Sequence, residues 1–87
     1  MPFIKLTEFT IFDKTEGEGI VLDRKSGRYL GLNATATLML EASLQYETQD
    51  KVIEFLHNFI DADDATLIEG IESLRNDLLA LNVINKY

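Results

Sequence analysis

The apolar pattern of this chain changes period once, at Asn33, and that change limits the fold more than any other feature. Before Asn33, β-formers gather in short runs between glycine-bearing turns; after it, apolar residues recur at a spacing near 3.6, the signature of amphipathic helices. Phe9, Thr10, Ile11 and Phe12 predict a first strand over 8–13. Thr15-Glu16-Gly17-Glu18-Gly19 is polar and reads as a turn, residues 19–23 as a second strand, and Arg24-Lys25-Ser26-Gly27 as a compact turn with glycine where positive φ is needed. Residues 28–32 complete a three-stranded antiparallel meander.

Asn33 is a good N-cap for a helix over 34–45, whose Leu38, Leu40, Ala42 and Leu44 leave little polar surface and predict a mostly buried element. Thr48 caps a second helix, 48–60, with Val52, Ile53, Leu56, Phe59 and Ile60 on its apolar face. Asp61-Ala62-Asp63-Asp64 supplies first-turn carboxylates for a third helix, 63–82, with the stripe Leu67, Ile71, Leu74, Leu78 and Leu81. A short tail follows from Val83 to Tyr87. The expectation is one α+β domain over residues 1–87, a three-stranded antiparallel N-terminal sheet followed by three helices in a winged helix-turn-helix-like order.

Composition narrows the function. The 87 residues suit a single core, and the absence of cysteine removes disulfides, thiolate catalysis and cysteine-based zinc sites. Net charge is -7, unevenly placed: residues 1–33 hold five bases and five acids, residues 34–87 three bases and ten acids. The third helix with its leading Asp-rich break carries six acids and one base, Arg75, so it would repel nucleic acid. No signal-peptide pattern opens the chain and no apolar run approaches the roughly 20 residues of a membrane span, which predicts a cytoplasmic protein with no membrane partner.

Catalytic groups are scarce. His57 is the one imidazole and reads as a solvent-facing or core-edge residue; Gly17 and Gly19 precede no phosphate-loop pattern. Asp61, Asp63, Glu69 and Glu72 partly imitate a calcium loop, yet Ala65 and Thr66 stand where a ligand and the turn glycine belong, so helix capping explains them better. Asn33-Ala34-Thr35 reads as a helix cap rather than a glycosylation acceptor. The expectation is no enzyme, no cofactor and no metal.

A binding surface is what the pattern leaves. In a meander the third strand is an edge; Arg28 is its sole gatekeeper charge, and Gly31 leaves room for another backbone to approach. Ile68, Leu78 and Leu79 exceed what one core stripe of the third helix requires. An edge beside an apolar groove suits an added peptide strand. Alternatively, these apolar residues are all core and the C-terminal tail covers the edge. A different class of function, a winged-helix-like transcriptional regulator or a protein-interaction adaptor, stays open at this level.

The run Gly19-Ile20-Val21-Leu22-Asp23, then Lys25-Ser26-Gly27-Arg28-Tyr29-Leu30-Gly31-Leu32-Asn33 and the small-residue helix start Ala34-Thr35-Ala36, resembles PqqD-like domains. The later match is looser, through Ile71, Leu74, Leu78 and Leu79 to the closing Leu81-Asn82-Val83-Ile84. The resemblance covers roughly residues 8–85. It implies a precursor-peptide recognition element of ribosomal peptide natural-product biosynthesis, in the stand-alone form of lasso-peptide systems, that takes a leader segment as an added strand between the third strand and third helix. Carried over by position, the contacts implied are Arg28, Tyr29, Leu30, Gly31 and Leu32 on the strand, and Ile68, Arg75 and Leu79 on the helix. Implied partners are a precursor leader peptide and a maturation protease or other modifying enzyme, such as a radical enzyme. The charge split adds that Glu72 or Asp77 meets basic residues of the leader, so salt weakens binding. The bare edge also predicts a monomer or a weak homodimer.

Overall fold

The computed structural model describes residues 1–84, so the last three residues of the expected tail lie outside the described part. Strands β1 (Thr10–Thr15), β2 (Glu18–Asp23) and β3 (Tyr29–Leu32) form an antiparallel sheet in the order β1-β2-β3, followed by helices α1 (Ala34–Gln45), α2 (Gln49–Leu56) and α3 (Asp64–Leu81). The expected α+β architecture is the observed one. No described helix is long and apolar enough to cross a membrane.

The first strand runs two residues later than the pattern predicts, over 10–15 instead of 8–13. The reason is the turn. Glu16 and Gly17 both take positive φ (54° and 84°), giving a two-residue loop whose twist matches the flanking strands. Thr15 then pairs with Glu18, and Glu18 joins β2 ahead of the expected start at Gly19. Register places Phe12, Val21 and Leu30 in one row on the inner face, and Ile11, Leu22 and Tyr29 in one row on the outer face. Between β2 and β3, Asp23 accepts from the Ser26 hydroxyl (2.9 Å) and the Lys25 N–H (3.1 Å), while Gly27 turns at φ 76°.

α1 is the central helix. Asn33 caps it by accepting from the Ala36 N–H at 2.8 Å, and Leu40 and Ala42 are wholly buried. Its buried hydroxyls are satisfied locally, Thr37 donating to the Asn33 carbonyl and Ser43 to that of Met39. α2 stops at Leu56, four residues before the expected end. Asn58 and Phe59 donate to the carbonyls three residues back, and the Asn58 side chain also takes the Phe55 carbonyl. This tightened turn swings Phe59 out of the expected apolar face, leaving it 61% exposed against Phe55. Asp63 caps α3, accepting from the Thr66 N–H at 2.8 Å, so its carboxylate serves the helix as expected. At the other end Asn82 turns left-handed (φ 66°) and the Val83 N–H returns to the Leu78 carbonyl.

The N-terminal segment, which shows no periodicity, is tied down. Ile4 is buried in the core, and its N–H donates to the Ser43 carbonyl. Leu6 bridges Ile84, with the Thr7 N–H on the Val83 carbonyl. The described part of the tail thus runs beside residues 6–7 and not along β3.

Two capping carboxylates couple this fold to pH. The Ser26 hydroxyl first, then the Lys25 N–H, holds the Asp23 carboxyl below its usual range, and Thr66 does the same for Asp63. Because the folded-state values are depressed, their stabilisation is complete above the unfolded pKa of about 4 and disappears as pH falls through the lower folded values. The thermal midpoint is expected to stay level down to about pH 4.5 and then to fall. Asp23→Asn should make that acid limb shallower in melts followed by circular dichroism.

Candidate functional site

Among the described residues, β3 has a neighbour on one side only. The Asp23 N–H donates to the Arg28 carbonyl at 2.9 Å, which marks that pair as hydrogen-bonded; alternation along the ladder then makes Leu30 and Leu32 the residues bonded to β2. The N–H and C=O groups of Tyr29 and Gly31 therefore point away from the sheet. These are the four backbone groups that an added strand would meet.

Beside this edge lies an open cavity of about 320 Å³. Leu30, Gly31 and Leu32 form one wall; Gly70, Ser73, Leu74 and Asp77 of α3 form the other. Thr35, Ala36 and Met39 of α1 make the floor. Two features keep it open. The α3 wall carries two small residues, Gly70 and Ser73, at helical spacing, and Gly70 lets Met39 come close: a Cβ there would stand 2.6 Å from the Met39 terminal methyl. Asp77 is the one charged residue in this lining, and it has no ion-pair partner among the described residues.

The strand residues expected at the site, Tyr29, Leu30, Gly31 and Leu32, are brought together there, with Arg28 immediately before them and exposed. On α3, the expected residues and the wall of this cavity lie on different faces. At about 100° per residue, Gly70, Ser73, Leu74 and Asp77 share one flank of α3, whereas Ile68, Arg75 and Leu79 lie roughly 160° away across the buried stripe. Ile68 lines a separate hollow with Ile53, Glu54 and His57 of the α2 segment. Arg75 donates to the Phe3 carbonyl at 3.3 Å, its guanidinium 4.6 Å from the centre of the Phe3 ring, so it anchors the N-terminal segment. Leu79 packs half-buried against the core, and Glu72 is exposed outside the groove lining. Of the two acids expected to face a ligand, Asp77 lines this cavity and Glu72 does not.

Sequence reasoning missed Gly70, Ser73 and Met39. The available signal was the small pair Gly70 and Ser73 interrupting an otherwise bulky helix; apolar surplus pointed to the opposite flank, which the N-terminal segment and α2 occupy. His57 is no isolated imidazole: its Nε2 lies 2.6 Å from Asp64 Oδ1, joining the end of α2 to the start of α3.

No protein-family model matches this sequence, and no curated protein matches it. Two solved structures share its fold. One, a lasso peptide synthetase B1 complexed with the leader peptide, superposes with a TM-score of 0.83 at 23% identity, covering 97% of this chain and 99% of that one. The other, TbiB1 in complex with the TbiA(beta) leader peptide, gives a TM-score of 0.83 at 14% identity over 95% and 96% of the two chains. The likeness is one of fold, and it extends over nearly the whole of each chain.

Proposed function

We propose that this chain is a non-catalytic, PqqD-like binder of the leader segment of a ribosomally synthesised precursor peptide. The leader joins β3 as a fourth strand and is delivered to a maturation enzyme. One observation carries this reading: the outward N–H and C=O groups of Tyr29 and Gly31 open onto a groove that α1 floors and α3 walls. The two proteins of the same fold support it, since each was solved with a leader peptide bound. A lasso-peptide pathway fits best, with a leader protease as the enzyme partner, acting in the cytoplasm where the precursor is translated. The protein works as a monomer once the leader occupies the edge. Regulation of DNA is disfavoured, because α3 exposes Asp64, Glu69, Glu72 and Asp77 where a recognition helix would face phosphates.

The test is a titration of isotope-labelled protein with synthetic leader segments of lasso-peptide precursors. Amides of Tyr29–Leu32 and of the Gly70–Asp77 flank should shift. Shifts confined to the Ile68, Arg75 and Leu79 flank would refute the proposed seat.

Asp77 makes a second expectation. A carboxylate at the groove attracts a basic leader residue, and exposed pairs of this kind contribute on the order of 0.2–1 kcal/mol. Asp77→Asn should weaken binding about two- to fivefold and flatten its dependence on salt. Glu72→Gln, outside the groove, should leave both unchanged in calorimetric titrations at two ionic strengths.

A further inference from the structure

The sheet has a second edge, β1, at the far side from the groove. We propose that Asp13 and Lys14 close this edge to an added strand, so that these two charges confine strand docking to β3. The identity of the strand received at β3 rests on the leader reading above; the closure of β1 does not.

The backbone of β1 is as ready for pairing as that of β3. Its two-residue loop makes Thr15 and Glu18 the closing hydrogen-bonded pair of the hairpin, and the Arg24 N–H on the Phe9 carbonyl (3.0 Å) continues the same alternation. Ile11, Asp13 and Thr15 therefore bond to β2, and the N–H and C=O groups of Phe12 and Lys14 point outward. The Thr10 N–H is taken by the Thr7 carbonyl at 3.1 Å, which ends the free edge on that side. Four outward groups on two alternate residues remain, matching those that Tyr29 and Gly31 present on β3.

Side chains make the difference. Beside β3 lies the groove; beside Lys14 the inner side is shut, because its Nζ lies 2.6 Å from Glu41 Oε2 on α1 and straps the sheet edge to the helix. A strand bonded to Phe12 and Lys14 would aim its inner-facing residues at that ion pair and strip water from it, with no apolar pocket in return. An inward-pointing lysine on an edge strand opposes pairing for this reason. A second copy of the chain meets the same obstacle. The two-fold antiparallel register that uses every free group pairs Phe12 with Lys14 of the second copy, and it sets the two Asp13 side chains directly opposite each other, a repulsive contact. Of the neighbouring registers, one sets Lys14 against Lys14, and the other pairs Phe12 with Phe12 but calls on the Thr10 N–H, which is already engaged. On β3 the outward-bonding residues, Tyr29 and Gly31, are both uncharged.

The experiment is sedimentation velocity on the full chain, with amide spectra to place any contact, comparing the natural protein with Asp13→Thr/Lys14→Val and with Lys14→Arg. In the double variant the register that uses every free group gains a Thr–Thr pair at its centre and a Phe–Val pair on either side. Its dimer dissociation constant should fall at least about tenfold below that of the natural protein, with shifts at residues 12 and 14. Lys14→Arg keeps the charge and should match the natural protein. Asp13→Thr alone leaves the Lys14–Glu41 pair intact and should gain about threefold, which keeps the test decisive where the double variant fails to fold. Synthetic leader segments of lasso-peptide precursors, added to the natural protein, should shift Tyr29–Leu32 and leave Phe12 and Lys14 unmoved. Folded variants no more associated than the natural protein, or leader shifts at Phe12 and Lys14 of the natural protein, would overturn the closure of β1. Association of the double variant at residues 12 and 14, with leader shifts at neither edge of the natural protein, would support that closure and overturn the leader reading alone.

Discussion

Gly31→Pro is expected to weaken leader binding about 30-fold or more, with the thermal midpoint within a few degrees of the natural protein. The asymmetry follows from which way the backbone points. The Gly31 N–H faces the open edge and is not part of the β2–β3 ladder, so proline removes a donor that only a docked strand would use. Its ring also places a carbon where the incoming carbonyl must come, leaving that carbonyl unpaired at a cost of about 1–3 kcal/mol beyond the lost bond. Proline at an edge position whose N–H faces outward is tolerated by the sheet itself. Leu30→Pro is the control, because it removes a bond to β2 and should destabilise the fold directly. Calorimetric titration with the synthetic leader, paired with thermal melts, separates the two effects. Equal affinity for Gly31→Pro and the natural chain would rule out main-chain pairing at this edge.

Gly19→Val should lower the thermal midpoint by roughly 5–15 °C, the largest stability effect expected from a single glycine here. Gly19 lies on the inner face of β2, where a Cβ would stand 2.9 Å from Thr37 Oγ1 and 3.0 Å from a Phe12 ring carbon. Thr37 is buried, and its hydroxyl is engaged with the Asn33 carbonyl, so it cannot simply rotate away. Relief requires the sheet to lift from α1, and overpacking of this kind costs about 1–3 kcal/mol. The better strand propensity of valine recovers less, since the entire propensity scale spans about 1 kcal/mol. Against a total stability of about 5–15 kcal/mol, that loss is large. Gly31→Val supplies the comparison: its Cβ meets open space, so its midpoint should hold or rise. A midpoint for Gly19→Val equal to that of the natural chain would show that β2 and α1 are not in the contact described.

These two glycines also show where sequence reading stops. Both sit in strands, and nothing local distinguishes them; one lies against a helix and the other faces solvent. The same holds for α3. Its buried stripe, Leu67 through Leu81, was legible because burial on one face imposes a 3.6-residue period. Its flanks were not, because Ile68 and Leu79 on one side and Gly70 and Ser73 on the other acquire their meaning from what packs beside them. The shift of β1 by two residues came from a turn in which Glu16 accepts positive φ, a conformation that composition alone does not assign to glutamate.

By itself, the sequence determined the order of three strands and three helices, the capping residues Asn33 and Thr48, the place of β3 at one end of the meander and the acidity that opposes nucleic acid. Each of these depends on residues near one another in the chain, where period, turn chemistry and charge act locally. The groove was decided by tertiary structure alone. Its floor and far wall come from Met39 and Gly70, which approach each other across two helices, and the flank of α3 it uses depends on where the N-terminal segment lies. Period identifies a buried face, but the rotation of that face toward one neighbour or another is set by packing between distant segments.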